Sequence, residues 1–331
     1  MDALLTIPLL LALTTAPAQV VTLRGLEVAP GVHVFSTSPD GYVPNGNALV
    51  SIGPDDVLVF DTFTRPSTAR SLVEAIRTLT KKPVRWIINS HWHPDHWFGN
   101  DTLLQAFPGA VLVTSEETRQ LMLATMKTWK PRFEAELRSA DGKPLSADDV
   151  LRRDFLAEGL MVRFQVPAVT FGDTLILRQG EREVHLMSMV GDARGTVVLW
   201  IPQDRLVATG DVVSGPVPYF TPPLGLHARS LRTVLALDPA TVVPGHGPVR
   251  HDVAQVRLQL DLYESILRQA RVAMEQGEVS IEDVQKRVDV ASFRHRFTGG
   301  KPELDAQFDR YVLRMVENVY RELRDGKSFT R

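Results

Sequence analysis

Ser90-His91-Trp92-His93-Pro94-Asp95-His96-Trp97-Phe98-Gly99-Asn100 packs four ligand-type side chains, His91, His93, Asp95 and His96, into six residues. Alternate residues of an extended segment point the same way, so the imidazoles of His91 and His93 share one side. A kink at Pro94 then swings Asp95 and His96 onto the same space. Buried without a cation, such a set strands several polar groups, at ~1–3 kcal/mol each. A metal ion held by imidazole and carboxylate accounts for the cluster directly. The stretch leaves Val84-Arg85-Trp86-Ile87-Ile88-Asn89, which reads as a buried strand. Loops at the carboxyl ends of core strands are where distant segments converge on a ligand.

Upstream, residues 20–62 read as antiparallel strands. Val32–Phe35 is followed by a Gly/Pro/Asn-rich loop, 39–47, and then Ala48–Ile52 and Val57–Asp61 flank the turn Gly53-Pro54-Asp55-Asp56. From Pro66 to Leu79 the apolar residues Ala69, Leu72, Val73, Ile76 and Leu79 recur at helical spacing. Downstream, a short helix and the strand Ala110–Val113 lead into a charge-rich stretch over 115–160. Helices near Glu116–Trp129 and Asp148–Gly159 make that stretch a helical insertion, and it is expected to overhang the site. Strands return at Thr174–Arg178, Glu183–Met187, Thr196–Ile201, Arg205–Ala208 and Thr241–Val243. The tail carries helices over Val256–Met274 and Leu304–Leu323. Strands, βα alternation, strands again and then helices fit a two-layer sheet core with outer helices better than a doubly wound parallel sheet.

The 331 residues include 37 basic, 39 acidic and no cysteine, for a net charge of −2. Disulfides and thiolate metal sites are thereby excluded, and nothing favours a nucleic-acid groove. At the amino end, Leu4–Leu13 is apolar and Ala16-Pro17-Ala18 has the small residues of a cleavage site, although Asp2 stands where Lys or Arg is usual. The run falls short of the ~20 residues needed to span a bilayer. Residues 1–18 therefore read as a signal peptide. The expected mature protein is periplasmic or secreted, with no stable membrane insertion, and it acts on a small-molecule substrate. Oligomeric state is not legible.

His-x-His-x-Asp-His after a strand resembles the signature of the metallo-β-lactamase superfamily. The resemblance spans about residues 30–250 and implies an α+β fold, a four-layer αββα sandwich. The corresponding division is a metallo-β-lactamase domain over 19–250 and a helical C-terminal extension over 251–331. It also implies further ligands downstream: Asp211 in Ala208-Thr209-Gly210-Asp211 as a carboxylate shared by two metals, and His246 in Pro244-Gly245-His246-Gly247. Asp61 resembles the aspartate that orients the ligand loop from behind.

One position departs from the family pattern. Where a Gly-His-Thr-x-Gly stretch is usual, this chain has Gly191-Asp192-Ala193-Arg194-Gly195-Thr196. Three readings follow. Asp192 ligates with His91 and His93, and Asp211 bridges; this hardens the site towards Fe or Mn in place of zinc. Or its shorter side chain fails to reach, and only Asp95, His96, Asp211 and His246 hold metal. Or hydrolysis is lost and a metal-dependent binding protein remains. The first two imply a hydrolase with up to two Zn2+, with Asp95 orienting or deprotonating water and the substrate an ester, thioester, lactone, lactam or phosphoester. The set His91, His93, Asp192 also suits a mononuclear iron, sulfur dioxygenase-like enzyme. Trp97 beside Trp92 and Phe98, Tyr219, Arg194 and His227 are the candidates for substrate contact. His33, His185, His251 and His295 stand alone and read as structural.

Overall fold

A computed structural model describes residues 22–37, 46–140, 147–218, 223–275, 277 and 279–325. The signal-like segment 1–18, most of the loop before β3 and Tyr219 lie outside the described residues. Seven strands, β1 (Arg24–Ala29), β2 (Val32–Ser36), β3 (Ala48–Ile52), β4 (Val57–Phe60), β5 (Val84–Ile88), β6 (Val111–Ser115) and β7 (Val169–Phe171), pair in sequence order. β1 to β4 are antiparallel to one another, and β4 to β7 run parallel. A second sheet joins β8 (Thr174–Gln179), β9 (Arg182–Val190), β10 (Arg194–Ile201), β11 (Leu206–Ala208) and β12 (Thr241–Val243). Around them lie α1 (Pro66–Leu79), α2 (Pro94–Trp97), α3 (Asn100–Ala106), α4 (Glu116–Ala140), α5 (Ala147–Met161), α6 (Leu224–Ala236), α7 (Ala254–Glu275), α8 (Ile281–Arg287), α9 (Ala291–Thr298) and α10 (Pro302–Arg324).

Period-two alternation within nearly continuous apolar runs sets the layers. In β4, Val57 and Val59 face the helix layer with Leu72, Val73 and Ile76 of α1, whereas Leu58 and Phe60 turn between the sheets. In β10, Val197, Leu199 and Ile201 meet them there, while Val198 and Trp200 face α6, α7 and α10. The result is helices, sheet, sheet, helices, as the resemblance implied. The helical tail packs on the second sheet through Leu262, Ile266 and Val316.

Three local readings change. Pro94 opens a single helical turn, α2, and does not kink an extended loop; proline suits that first position because its missing N–H would have no partner there. Helix α6 adds to the expected elements, its Leu224, Ala228, Leu231 and Val234 at helical spacing, and β1 precedes the strand expected first. The insertion is an antiparallel helix pair seated on the loop that carries His91 to His96. Trp97 and Phe98 pack against Met122, Trp129 and Phe133 of α4 and Leu156 of α5. Glu158 of α5 anchors it to the sandwich, accepting from Arg65 Nε at 2.9 Å and from Ser67 N at 3.0 Å at the start of α1.

The tail carries a pH dependence of its own. Glu322 of α10 is half-buried, and burial pushes its carboxyl from 4.5 to about 6, a rise the Leu224 amide at the start of α6 only partly offsets. A raised carboxyl pKa means that the folded state holds the proton more tightly. Glu322 therefore favours folding below about pH 4.5, and that contribution is lost as the pH rises through about 6. Glu322→Gln is expected to raise stability at pH 7.5 by on the order of 1 kcal/mol, once solvent screening is allowed for, and to change little at pH 4. Denaturant melts of both proteins at the two pH values measure this; an equal offset at both would refute it.

Candidate metal centre

The seven ligand-type residues come from four loops at one edge of the sandwich. His91, His93, Asp95 and His96 leave the carboxyl end of β5. Asp192 sits between β9 and β10, Asp211 lies in the turn after β11, and His246 follows β12. Val197 N donates to the Ser90 carbonyl at 2.7 Å and so ties the two sheets together at the site.

Two groups form. His91, His93, Asp192 and Asp211 offer ligand atoms within 4.8 Å of one another, and so do Asp95, His96 and His246. In the first group His93 Nδ1 lies 2.9 Å from Asp192 Oδ2, and His91 Nε2 lies 3.5 Å from Asp192 Oδ1. The shorter aspartate side chain therefore reaches the group. In the second, His246 Nε2 is 2.9 Å and His96 Nε2 3.3 Å from Asp95 Oδ2. Asp211 Oδ2 lies between the groups, 3.8 Å from His91 Nε2, 3.8 Å from His96 Nε2 and 3.4 Å from His246 Nε2. Gly245 makes that position available, because a Cβ there would stand 1.8 Å from Asp211 Oδ1.

These distances suit a cation. Four donors each ~2.0–2.1 Å from one tetrahedral ion lie about 3.4 Å apart. The satisfaction of the buried atoms points the same way: His96 Nε2, Asp192 Oδ1 and Asp211 Oδ1 are enclosed and have no hydrogen-bond partner. Buried polar atoms left so cost ~1–3 kcal/mol each unless something else occupies their lone pairs.

Electrostatics make the pocket a trap for positive charge. Burial opposes charge on His96, yet Asp95, Asp61 and Asp211 together hold its pKa well above 6.5. Burial likewise opposes charge on His246, but Asp211 and Asp95 raise it to about 10. His93 is pushed up by Asp192 against its own desolvation. His91 goes the other way, lowered well below 6.5 by burial and by the neighbouring His96. Burial would raise Asp95, but His96 and His246 hold it well below the usual carboxylate range, so it is ionised.

Behind the ligands, Asp61 accepts from Ser90 N at 2.7 Å, from Ser90 Oγ at 2.7 Å and from His96 Nδ1 at 2.8 Å. Those bonds turn the lone pair of His96 Nε2 towards Asp95 and Asp211. Ser90 Oγ also meets His91 Nδ1 at 3.0 Å. Sequence reasoning gave Ser90 no role, and an isolated serine carries no signal that would have revealed one. Beneath the loop Asn89, Asn100 and Thr62 form a buried amide–hydroxyl network, with Asn100 Nδ2 donating to Asn89 Oδ1 at 2.8 Å.

The substrate-contact candidates fare differently. Trp97 is buried, 1% exposed, its Nε1 donating to the Trp92 carbonyl at 2.8 Å, so it supports the loop from beneath and forms no open wall. His227 is also enclosed, on α6, where its Nε2 meets the Val212 carbonyl at 2.8 Å and its ring packs on Tyr263. It lies behind the Asp211 turn and away from any open surface. Arg194 is exposed at the start of β10. Of the solitary histidines, His185 meets Glu183 Oε2 at 3.0 Å, two residues back along β9.

Comparison with known proteins agrees with this architecture. The model of the metallo-beta-lactamase superfamily matches residues 41–246. A linear primary-alkylsulfatase from Pseudomonas sp. is 26% identical over 238 residues, 67% of this chain and 44% of that protein. The chain thus spans less than half the length of that curated relative. Among solved structures, a stereoselective inverting sec-alkylsulfatase from Pseudomonas sp. superposes with a TM-score of 0.64 at 16% identity, over 92% of this chain and 51% of its own. A metallo-beta-lactamase from Pontibacter korlensis gives 0.55 at 20% identity, over 73% of this chain and 99% of its own. With the sandwich, the convergent His/Asp loops and a family match across most of the chain, this protein belongs to the metallo-beta-lactamase superfamily.

Proposed function

We propose that the protein is a hydrolase holding two divalent cations, zinc in the first instance, and that its substrate is a small sulfate ester. The position of Asp211 Oδ2 carries this reading, because it lies within 3.4–3.8 Å of histidines from both ligand groups. One cation would sit among His91, His93, Asp192 and Asp211, the other among Asp95, His96, His246 and Asp211. Three carboxylates bring three negative charges to the site, which two divalent cations slightly exceed, favouring an anionic nucleophile or substrate there.

Held by these residues, a divalent cation would supply the chemistry of a Lewis acid, lowering the pKa of water from ~15.7 towards ~7. The chain's own residues supply the rest. Asp95 is 19% exposed where Asp192 is 5% and Asp211 4%, so it is the site carboxylate best placed to accept a hydrogen bond from the attacking water and orient it. Trp92 lies 4.3 Å from the His93 ring and offers an apolar flank to the organic part of an ester. A sulfate monoester takes up one water and yields an alcohol and hydrogen sulfate.

The substrate class rests on the relatives. Both alkylsulfatases match the chain, and the solved one extends over 92% of it where the Pontibacter lactamase covers 73%. Protein purified without added metal is expected to contain close to two zinc ions per chain, or zinc with some iron at the Asp192 group. It is expected to release sulfate from short alkyl sulfates, with the activity lost to a chelator and restored by Zn2+. Turnover of lactams, lactones, thioesters or phosphoesters alone would overturn the substrate and keep the hydrolase. A single iron with oxygen uptake on a thiol persulfide would overturn both.

A further inference from the structure

The two residues that lead into β3 touch both ligand loops without offering a ligand. Asn47 N donates to the Gly245 carbonyl at 2.7 Å, and Asn47 Nδ2 donates to the carbonyls of Pro244 and Gly247, each at 2.9 Å. One residue, 4% exposed, thus grips the backbone on both sides of His246 from about 200 positions away in sequence. Both hydrogens of its amide are used, so no other side chain of this size reproduces the pattern. From the opposite side Gly245 N donates to the Gly210 carbonyl at 2.9 Å, beside Asp211. The His246 loop is therefore held between β3 and the Asp211 turn.

Gly46 meets the other loop. Its amide approaches the Asp95 carbonyl at 3.4 Å. A Cβ on Gly46 would stand 2.6 Å from His96 Cε1 and 2.9 Å from Nδ1. That ring cannot retreat freely, because Nδ1 is fixed on Asp61. The bare backbone of Gly46 is what leaves room for His96 in its ligand orientation.

We propose that Gly46 and Asn47 are positioning residues which set the separation of His246 from Asp95 and His96, and thereby the affinity of that group for a divalent cation. This rests on the two-cation reading above. Groups that orient ligands from behind commonly change metal affinity by ~10–100-fold when removed. Their loss here acts on one group of ligands only, since His91, His93 and Asp192 make none of these contacts.

The test is competition of apo-protein against a chromogenic chelator for Zn2+. His246→Ala identifies which of the two equivalents belongs to this group. Asn47→Ala and Gly46→Ala are each expected to weaken that same equivalent by ~10–100-fold and leave the other within about threefold. Ser51→Ala, at the far end of β3, loses the bond from Ser51 Oγ to Gln179 Oε1 at 2.7 Å and serves as a control for general damage to the strand. It is expected to bind both equivalents as the parent does. Equal weakening in Ser51→Ala, or parent-like binding in both Asn47→Ala and Gly46→Ala, would overturn the proposal. Should Asn47→Ala fail to fold, Gly46→Ala decides alone. Two tight equivalents in the parent with unaffected variants sink only this inference, whereas no Zn2+ uptake by the parent sinks the site reading as well.

Discussion

Replacing Asp211 by alanine is expected to abolish tight binding of both cations and to lower turnover by on the order of 10³-fold or more. The size follows from the chemistry removed: stabilisation by a bound cation is worth several kcal/mol, and each ~1.4 kcal/mol is a factor of ten. Asp211 Oδ2 is the atom that lies within 3.8 Å of histidines in both groups, so its loss is not confined to one. Asp192→Ala differs in kind, because among the described residues the carboxylate of Asp192 pairs with His91 and His93. Metal analysis of both variants after dialysis separates them: Asp211→Ala should retain less than one ion per chain, and Asp192→Ala should keep the ion of the other group. Two ions retained in Asp211→Ala would show that the carboxylate is not shared.

Replacing Asp61 should have the largest effect on folding. It is 1% exposed and serves as acceptor for Ser90 N, Ser90 Oγ and His96 Nδ1. Asp61→Ala leaves Ser90 N and His96 Nδ1 without that acceptor, at ~1–3 kcal/mol each, while Ser90 Oγ keeps only His91 Nδ1, and it puts alanine at a φ of 65°, a backbone region that aspartate and asparagine tolerate better. Melting in the presence of chelator, so that cation binding does not contribute, is expected to show a drop on the order of 10 °C. Asp61→Asn tolerates the backbone better, but its amide hydrogens face His96 Nδ1. That moves the imidazole proton to Nε2, the atom turned towards Asp95 and Asp211. The expected result is a milder melt with metal affinity weakened ~10–100-fold. An unchanged melting temperature in Asp61→Ala would remove Asp61 as the anchor of the loop.

Much of this was legible from residue types and spacing. His91, His93, Asp95 and His96 announce themselves because four ligand-type groups rarely crowd six positions without a cation. The helix over Pro66–Leu79 has the bounds its apolar spacing predicts. β4 and β10 were readable as strands because both of their faces are apolar. Helix α6 follows a proline-rich stretch, and two of its six buried residues, His227 and Ser230, are polar, which dilutes the helical spacing of Leu224, Ala228, Leu231 and Val234. Trp97 misled for a related reason: an aromatic beside a ligand looks the same in sequence whether it lines a pocket or fills the space under a loop. The partners that settle the matter, Met122 and Trp129, come from the insertion.

The sequence by itself determined the donor types, the absence of thiolate, the strand that delivers the first four candidate ligands, and the aspartate at position 192 where the family pattern has histidine. Each of those depends on neighbours along the chain. Only the tertiary structure decided that Asp192 reaches His91 and His93, that Asp211 lies between two groups, and that Asn47 grips the backbone around His246. Those relations join segments up to about 200 residues apart, and they exist only because the ends of β5, β11 and β12, the turn between β9 and β10 and the start of β3 meet at one edge of the sandwich. Spacing in sequence carries no information about such distances until the sheets are packed.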